Sequence, residues 1–409
     1  MSPLISVVVP IYNRESYILE TVGSLREQTY QNWEGIFIDD ASTDRSYELV
    51  AQAAESDPRI KLYRREDKQS SDGSAGAQKC RNLGFEKSQG EWIVFLDSDD
   101  LLDPNCLQLR LEVLAEQELD YVAYVGRIFH EAREDTDLVW NLPTEESALL
   151  RYLSSEPVWQ TAGAMWRADF LRKQVRWLEG LPMMQDLEFH SRMLMSGARG
   201  IHLPKVDHYI RVSSHPSISD SWHSEIAAEA ALMVLESLCG QLKRSDSEVP
   251  SQEKQRLARY VYFIFTRSFR VQGQAPLQSR ALDLAHDESL LSWGGRRLLW
   301  AHSKCRSVLG SSLLHLFHGL CFPSGIHGFC SPLVKLCPME LLGDPRAVQA
   351  LRNERTRKEF FGGDSRLDGH LIAEAIFHLS SGKVIAARNA LVFLARTWLS
   401  KLMRWRDML

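Results

Sequence analysis

The chain of 409 residues lacks any uninterrupted apolar run of the roughly eighteen residues that a membrane span demands, so no span is expected. Cysteine is scarce. The seven present are odd in number and scattered, which argues against a disulfide framework and for reduced thiols in the cytosol. Cys321, Cys330 and Cys337 with His327 lack finger or ribbon spacing, so a structural zinc is not expected. An excess of one charge is missing too: 48 Lys and Arg against 53 Asp and Glu leave −5, and no continuous basic tract runs through the first half. Nucleic acid is therefore not an expected partner. No secretory n-region precedes Ile5, which fits a cytoplasmic protein. With 44% hydrophobic and 25% charged residues, the composition supports a sizeable core and leaves room for a second domain.

What is present is concentrated in the first half. Residues 92–96 form a short aromatic and β-branched run, the composition of a buried strand, which leads directly into Asp97-Ser98-Asp99-Asp100. Open α/β sheets bind ligands at the carboxyl ends of their strands. Two carboxylates one residue apart can hold a hard divalent cation while leaving most of its coordination sphere to phosphate oxygens and water. The phrase reads as a site for Mn2+ or Mg2+ with a diphosphate, beside the plainer reading of an acidic turn ending at Asp103-Pro104.

Upstream, residues 5–9 form another buried-strand run ended by Pro10, and Asn13 stands as a cap before Ile18, Val22 and Leu25 at helical spacing. Residues 35–38 repeat the pattern and break into Asp39-Asp40-Ala41-Ser42-Thr43-Asp44. Ser42 or Thr43 is the expected cap of a helix carrying Tyr47, Val50, Ala51 and Ala54. Residues 60–63 give a third strand and 75–88 a third helix. Such alternation predicts an α/β fold with a mostly parallel central sheet flanked by helices. Residues 10–13, Asp39-Asp40 and residues 97–99 then line one crevice at a sheet edge.

Four blocks in order, Ser6-Val7-Val8-Val9-Pro10-Ile11-Tyr12-Asn13-Arg14, the Asp39 to Asp44 cluster, Arg81-Asn82-Leu83-Gly84, and Gly90-Glu91-Trp92 running on to Asp100, resemble the family 2 inverting glycosyltransferases of GT-A fold. The resemblance fades beyond about residue 220. It implies a nucleotide-sugar donor whose base and ribose lie on Pro10, Tyr12 and Asn13. Asp40 falls where the family meets the base, and a carboxylate can accept the imide N–H of uracil. A UDP-sugar is thus favoured, although thymine and guanine carry comparable donors. Arg81 falls near the diphosphate with Ser98, and Asp97 and Asp99 are the implied metal pair, Asp99 resembling the direct ligand.

A second chemical site is expected at Met184-Gln185-Asp186-Leu187-Glu188-Phe189-His190. Transfer to a hydroxyl needs a base for the acceptor proton, and Asp186 is the expected one. Without the upstream blocks, Asp186 would read as a helix N-cap sooner than as a base, because Leu187, Phe189, Met193 and Leu194 continue at helical spacing. The family commonly has Glu-Asp here and an arginine six residues on. This chain has Gln185-Asp186 with Arg192, so Gln185 can bind an acceptor but supplies no second charge. His190, one turn later, is read as orienting the base or acceptor, or as a structural histidine. Trp159 is read as a platform for a sugar ring or as core. Tyr209-Ile210-Arg211 and His215 resemble the family's closing segment, with either Arg211 or His215 on the diphosphate.

After residue 222 the sequence turns mainly helical, interrupted at 245–251, 273–276 and 319–345, which divides the chain into 1–222 and 223–409. Residues 371–398 resemble one tetratricopeptide-like hairpin. The last helix sets Trp398, Leu402 and Trp405 among Arg404 and Arg406, a pattern suited to an anionic bilayer surface or to packing on the chain's own helices. Residues 293–306 mix basic and apolar side chains similarly. The reading is a metal-dependent, inverting glycosyltransferase of the cytoplasm, peripheral at the inner face of the cell membrane. It moves sugar from a UDP-sugar to a glycan or lipid-linked glycan hydroxyl in surface polysaccharide or glycan synthesis. A non-catalytic nucleotide-sugar-binding scaffold of the same fold, or a nucleotidyltransferase, is the alternative, and Asp186 argues against both.

Overall fold

A computed structural model describes residues 2–65, 76–136, 138–140, 142–144, 146–154, 156–174, 176–212, 225–244 and 275–290, with short pieces at 253, 256–257, 260 and 336–338. His215, residues 293–306, the hairpin at 371–398 and the last helix lie outside them. The chain divides into two compact units, Met1–Pro250 with Pro332–Gln349, and Ser251–Ser331 with Ala350–Leu409.

Strand β1 (Ile5–Ile11) is buried along its whole length, as is β2 (Trp33–Asp39), which suits strands covered on both faces. With β3 (Ile60–Arg64) and β4 (Trp92–Phe95) they form a parallel array in the order β3, β2, β1, β4. Pro10 sits in this central strand without disturbing it. The Val8 carbonyl accepts from Leu96 on the β4 side, so the alternation of a parallel ladder turns Pro10 toward β4 as well. Pairing with β4 ends at Val8 and Phe95, so no ladder bond needs the missing N–H.

Three helices follow three of these strands: α1 (Ile18–Arg26), α2 (Ser46–Ser56) and α3 (Gly76–Lys87). Helix α3 packs directly on β1 and β2. Two glycines permit that approach: a Cβ at Gly84 would overlap Val8, and one at Gly76 would overlap the Asp40 carboxylate. The observed caps differ from the expected ones by a few residues. Asn13 does not cap α1, which begins at Ile18; and Asp44, not Ser42 or Thr43, accepts the Ser46 N–H at 3.0 Å at the start of α2.

The remaining elements widen the sheet. They are β5 (Leu101–Leu102), α4 (Cys106–Glu116), β6 (Tyr121–Phe129), β7 (Leu138–Trp140), α5 (Ala148–Leu153), β8 (Ala164–Arg167), α6 (Ala168–Arg172), α7 (Gln185–Met195), β9 (Gly200–Arg211), α8 (Glu225–Arg244), α9 (Ala275–Asp287) and β10 (Leu336–Pro338). Strand β8 is antiparallel to both β4 and β6, and β7 and β10 continue antiparallel beyond β6. The sheet as a whole is therefore mixed around a parallel centre, because an apolar strand composition does not reveal which direction a neighbour runs. Helix α8, beyond residue 222, packs on α7 in the first unit.

The carboxyl ends of β1, β2 and β4 come out at one edge, where the order changes from β1–β2 to β1–β4. Ligands of open α/β sheets bind at such a switch point. Beneath it lies a core drawn from Val7, Val9, Phe37, Val94, Leu107 and Met165, among others.

Candidate active site

The first wall of the crevice is a pair of loops fastened together. Asn13, at φ 50°, occupies the left-handed region that asparagine tolerates better than most residues. Its backbone N–H donates to Ser42 Oγ at 3.1 Å, and its Oδ1 accepts from the Thr43 N–H at 2.9 Å. The Arg14 N–H donates to Ser46 Oγ at 2.7 Å and the Glu15 N–H to Asp44 Oδ2 at 3.0 Å. Tyr12 projects from this wall with 50% of its surface exposed, whereas Pro10 is buried. Asp39 is fully buried and pairs with Arg64 at 2.9 Å. Asp40 is more open and forms an ion pair with Arg65 whose angles do not amount to a hydrogen bond.

The acidic turn after β4 is held from several sides. Thr21 Oγ1 of α1 lies 3.1 and 3.0 Å from the Ser98 and Asp100 carbonyls, and Ser98 itself is buried. Asp97 receives Arg81 Nη2 at 2.5 Å, and Asp99 faces Arg14 Nε at 3.3 Å. Asp100 is buried, with Gln160 Nε2 donating to it at 3.0 Å and the Arg211 N–H at 2.9 Å. Burial first, and then the carboxylates of Asp99 and Asp97, push the Asp100 carboxyl well above its usual range. Negative charge is thus crowded in this turn. Hard oxygen donors in such a setting fit a divalent cation, with Asp97 and Asp99 as the half-exposed pair able to reach it. Among the described residues no third ligating side chain joins them, so the rest of a coordination sphere would have to come from ligand oxygens and water.

Opposite stands the start of α7. Met184, at φ 63°, turns the chain so that Gln185 and Asp186 fall in the first helical turn. Thr161 Oγ1 donates to Asp186 Oδ1 at 2.5 Å. The short turn that carries Thr161 is fixed by Arg110 of α4, which donates to the Ala162 carbonyl at 2.8 Å while gripping buried Asp207 at 2.7 and 2.9 Å. Arg81 joins the two halves of the site. Its Nη1 donates to Gln185 Oε1 at 2.7 Å, its Nη2 holds Asp97, and its guanidinium lies 4.6 Å from the centre of the Trp177 ring. A second link runs from Asp100 through Gln160 and its neighbour Thr161 to Asp186.

Three expected ligand contacts are corrected by burial. Trp159 is 1% exposed, enclosed by Tyr121, Tyr152, His190 and His202, so its indole presents no face to an acceptor. His190 lies on α7 but points into the same core, with neither ring nitrogen hydrogen-bonded among the described residues. It is a structural histidine. Arg211 has a side chain only 3% exposed, and its guanidinium is taken up by the Asp99 carbonyl at 3.0 Å, the His130 carbonyl at 3.1 Å and Glu20 at 2.8 Å. It braces the acidic turn rather than offering a hand to a diphosphate. Arg192 is likewise buried on Glu188.

Those buried histidines have a consequence for stability. Burial, followed by the Arg81 charge for His190 and the Arg151 and His208 charges for His202, lowers both imidazoles from 6.5 to about 3. The folded protein keeps them neutral while the unfolded chain protonates them. Stability is therefore full above the unfolded value and falls as pH drops below it, by up to about 1.4 kcal/mol per pH unit for each histidine. We expect a clearly lower melting temperature at pH 5 than at pH 7, with a shallower dependence in a folded His190→Leu variant. Identical melting at both pH values, or an unchanged slope in the variant, would refute this account.

The same arrangement of strands recurs in solved structures. The chain superposes on S. aureus TarS 1–349 in complex with UDP-GlcNAc with a TM-score of 0.58, at 20% identity, over 77% of this chain and 91% of that one. Residues 6–173 match the model of Glycosyl transferase family 2. That segment is a family 2 glycosyltransferase domain of GT-A fold.

Curated relatives of the domain include glycosyltransferase GlyG of Streptococcus pneumoniae, 37% identical over 135 residues, which are 33% of this chain and 42% of that protein. The putative teichuronic acid biosynthesis glycosyltransferase TuaG of Bacillus subtilis is 37% identical over 115 residues, 28% of this chain and 43% of its own. The matched segments span less than half of these relatives. Within the GT-A domain, Arg14, Arg65, Gln160 and Thr161 also stand in the site, and sequence reading assigns them no role there. Arg14 closes the first of the four blocks, and Gln160 and Thr161 stand beside Trp159, so proximity to a motif is the signal the sequence offers for them. Nothing in the sequence singles out Arg65. No helix among the described residues is long and apolar enough to cross a membrane.

Proposed function

We propose that the protein is an inverting, metal-dependent glycosyltransferase that moves a sugar from a UDP-sugar to a hydroxyl of a glycan or lipid-linked glycan in surface polysaccharide synthesis. One observation carries the reading: two hydrogen-bonded links join the acidic turn to the start of α7, Asp97 to Gln185 through Arg81 and Asp100 to Asp186 through Gln160 and Thr161. A donor-side carboxylate pair and a further carboxylate across the site suit an in-line displacement. Asp186, with one oxygen held by Thr161, is the group to take the acceptor proton as that oxygen attacks the anomeric carbon. Gln185 next to it supplies no second charge, which agrees with a single displacement with inversion.

On the donor side, Asp40 would accept from the base, with Tyr12 and Asn13 flanking it and Arg81 beside the diphosphate. Asp97 and Asp99 would hold Mn2+ or Mg2+, which when bound neutralises the departing diphosphate. The UDP-GlcNAc complex of TarS and the teichuronic acid role in the name of TuaG agree with this direction. Cytoplasmic chemistry at the inner face of the membrane, with peripheral contact through the apolar and basic pattern around Trp398, Leu402 and Trp405, completes the reading.

The test is to incubate the full chain with Mn2+ and a panel of UDP-, dTDP- and GDP-sugars, with and without oligosaccharide acceptors, and to analyse the released nucleotide. UDP release that stops on chelation and returns with Mn2+ is expected. Release of pyrophosphate, or neither turnover nor binding with any nucleotide sugar, defeats the proposal.

A further inference from the structure

Arginines meet the acidic turn at distinct places, and their surroundings differ in a way that separates their roles. Arg81 is 5% exposed on Asp97, with its other terminal nitrogen fixed on Gln185 and its plane against Trp177. Arg211 is 3% exposed and donates to the Asp99 carbonyl, the His130 carbonyl and Glu20. Each is itself buried and held by several contacts at once, so neither moves without losing all of them. Arg14 differs: it is 42% exposed and meets Asp99 through one nitrogen at 3.3 Å, with only a 3.2 Å bond from Nη1 to the neighbouring Asn13 carbonyl besides. Among the described residues Nη2 has no partner. Single-contact pairs at such exposure hold weakly.

Its backbone is nevertheless among the best anchored in the crevice. The Arg14 N–H is bonded to Ser46 Oγ, and the residues on either side, Asn13 and Glu15, are bonded to Ser42 and Asp44. A fixed base with a loosely held charged end is the design of a side chain that exchanges partners. From this geometry we infer that Arg14 is a placeholder cation: it occupies the Asp99 carboxylate in the unliganded protein, gives it up to the incoming divalent ion, and then binds the donor's diphosphate. Its five N–H donors in a planar fork suit phosphate oxygens as well as a carboxylate. The exchange ends near charge balance, since the dication that takes the guanidinium's place at Asp99 and the dianionic diphosphate that takes up the guanidinium offset each other.

This inference rests on the reading of Asp97 and Asp99 as a metal–diphosphate site, and the experiment separates the two. Mn2+ binding to the full chain is measured by electron paramagnetic resonance without nucleotide, and UDP and uridine binding by calorimetry at saturating Mn2+, for wild type, Arg14→Gln and Arg14→Lys. Removing the competitor should tighten Mn2+ binding several-fold in Arg14→Gln. Losing a charged hydrogen-bonding partner should weaken UDP about tenfold or more. Uridine, which lacks phosphates, should bind as before, and Arg14→Lys should fall between the two on UDP. The contact is exposed, so the melting temperature should not change, and the uridine arm verifies an intact pocket. Wild-type protein that binds neither Mn2+ nor UDP refutes the metal–diphosphate reading itself. Wild-type binding of both, with unchanged or weakened Mn2+ affinity or unchanged UDP affinity in Arg14→Gln, refutes the placeholder role alone.

Discussion

Asp186→Asn is expected to lower the transfer rate by roughly a hundredfold to ten-thousandfold while leaving donor binding intact, the usual loss when a general base is removed. The substitution keeps shape and keeps an oxygen for Thr161, which donates to Oδ1 at 2.5 Å, so the start of α7 should stay in place. What is lost is the ability to take a proton. The effect belongs on kcat, with the UDP dissociation constant unchanged because Asp186 lies across the site from the acidic turn's donor face. A Thr161→Val variant should show a smaller rate loss, since it removes one hydrogen bond to the carboxylate and leaves the carboxylate itself. Near wild-type turnover in Asp186→Asn would mean that another group takes the proton.

Asp99→Asn should cost a comparable amount by a different route. Charge stabilisation of a leaving group by a metal is worth several kcal/mol, so a ligand that no longer holds the cation should reduce transfer by about a hundredfold or more. The diagnostic is conditional. UDP binding should weaken in the presence of Mn2+ and not weaken in its absence, because the base and ribose contacts remain and Arg14 is released from Asp99. Asp97→Asn should add a second defect, since it also removes the anion that holds Arg81 Nη2 at 2.5 Å and so loosens Gln185 beyond it. If Mn2+ raises UDP affinity equally in wild type and Asp99→Asn, the metal is held elsewhere.

Much of the GT-A domain was legible in the chain itself. Continuous apolar runs at residues 5–9 and 92–96 suit strands buried on both faces, and strand–helix alternation brings their carboxyl ends to one edge. That is why the acidic turn, the Asp39-Asp40 cluster and the β1 loop fall together on sequence grounds alone. The apolar stripe behind Asp186 placed it at the head of a helix, whereas the base role proposed for it came from the resemblance carried by the upstream blocks and not from its local sequence.

Burial was not legible in the same way. Trp159, His190 and Arg211 all have side chains suited to a ligand, and their types, spacing and nearness to motifs pointed to one. Only packing decided that Trp159 and His190 face an aromatic core, and that Arg211 spends its donors on Glu20 and on the carbonyls of Asp99 and His130. The converse holds for Arg14, Gln160 and Thr161, whose partners lie far along the chain; Gln160, for instance, donates to Asp100. Sequence periodicity records which side of an element faces inward and what chemistry a strand end carries. Which side chain across the crevice takes up each hydrogen bond depends on contacts between distant segments, and these exist only after β8, α7 and β9 have closed around the end of β4.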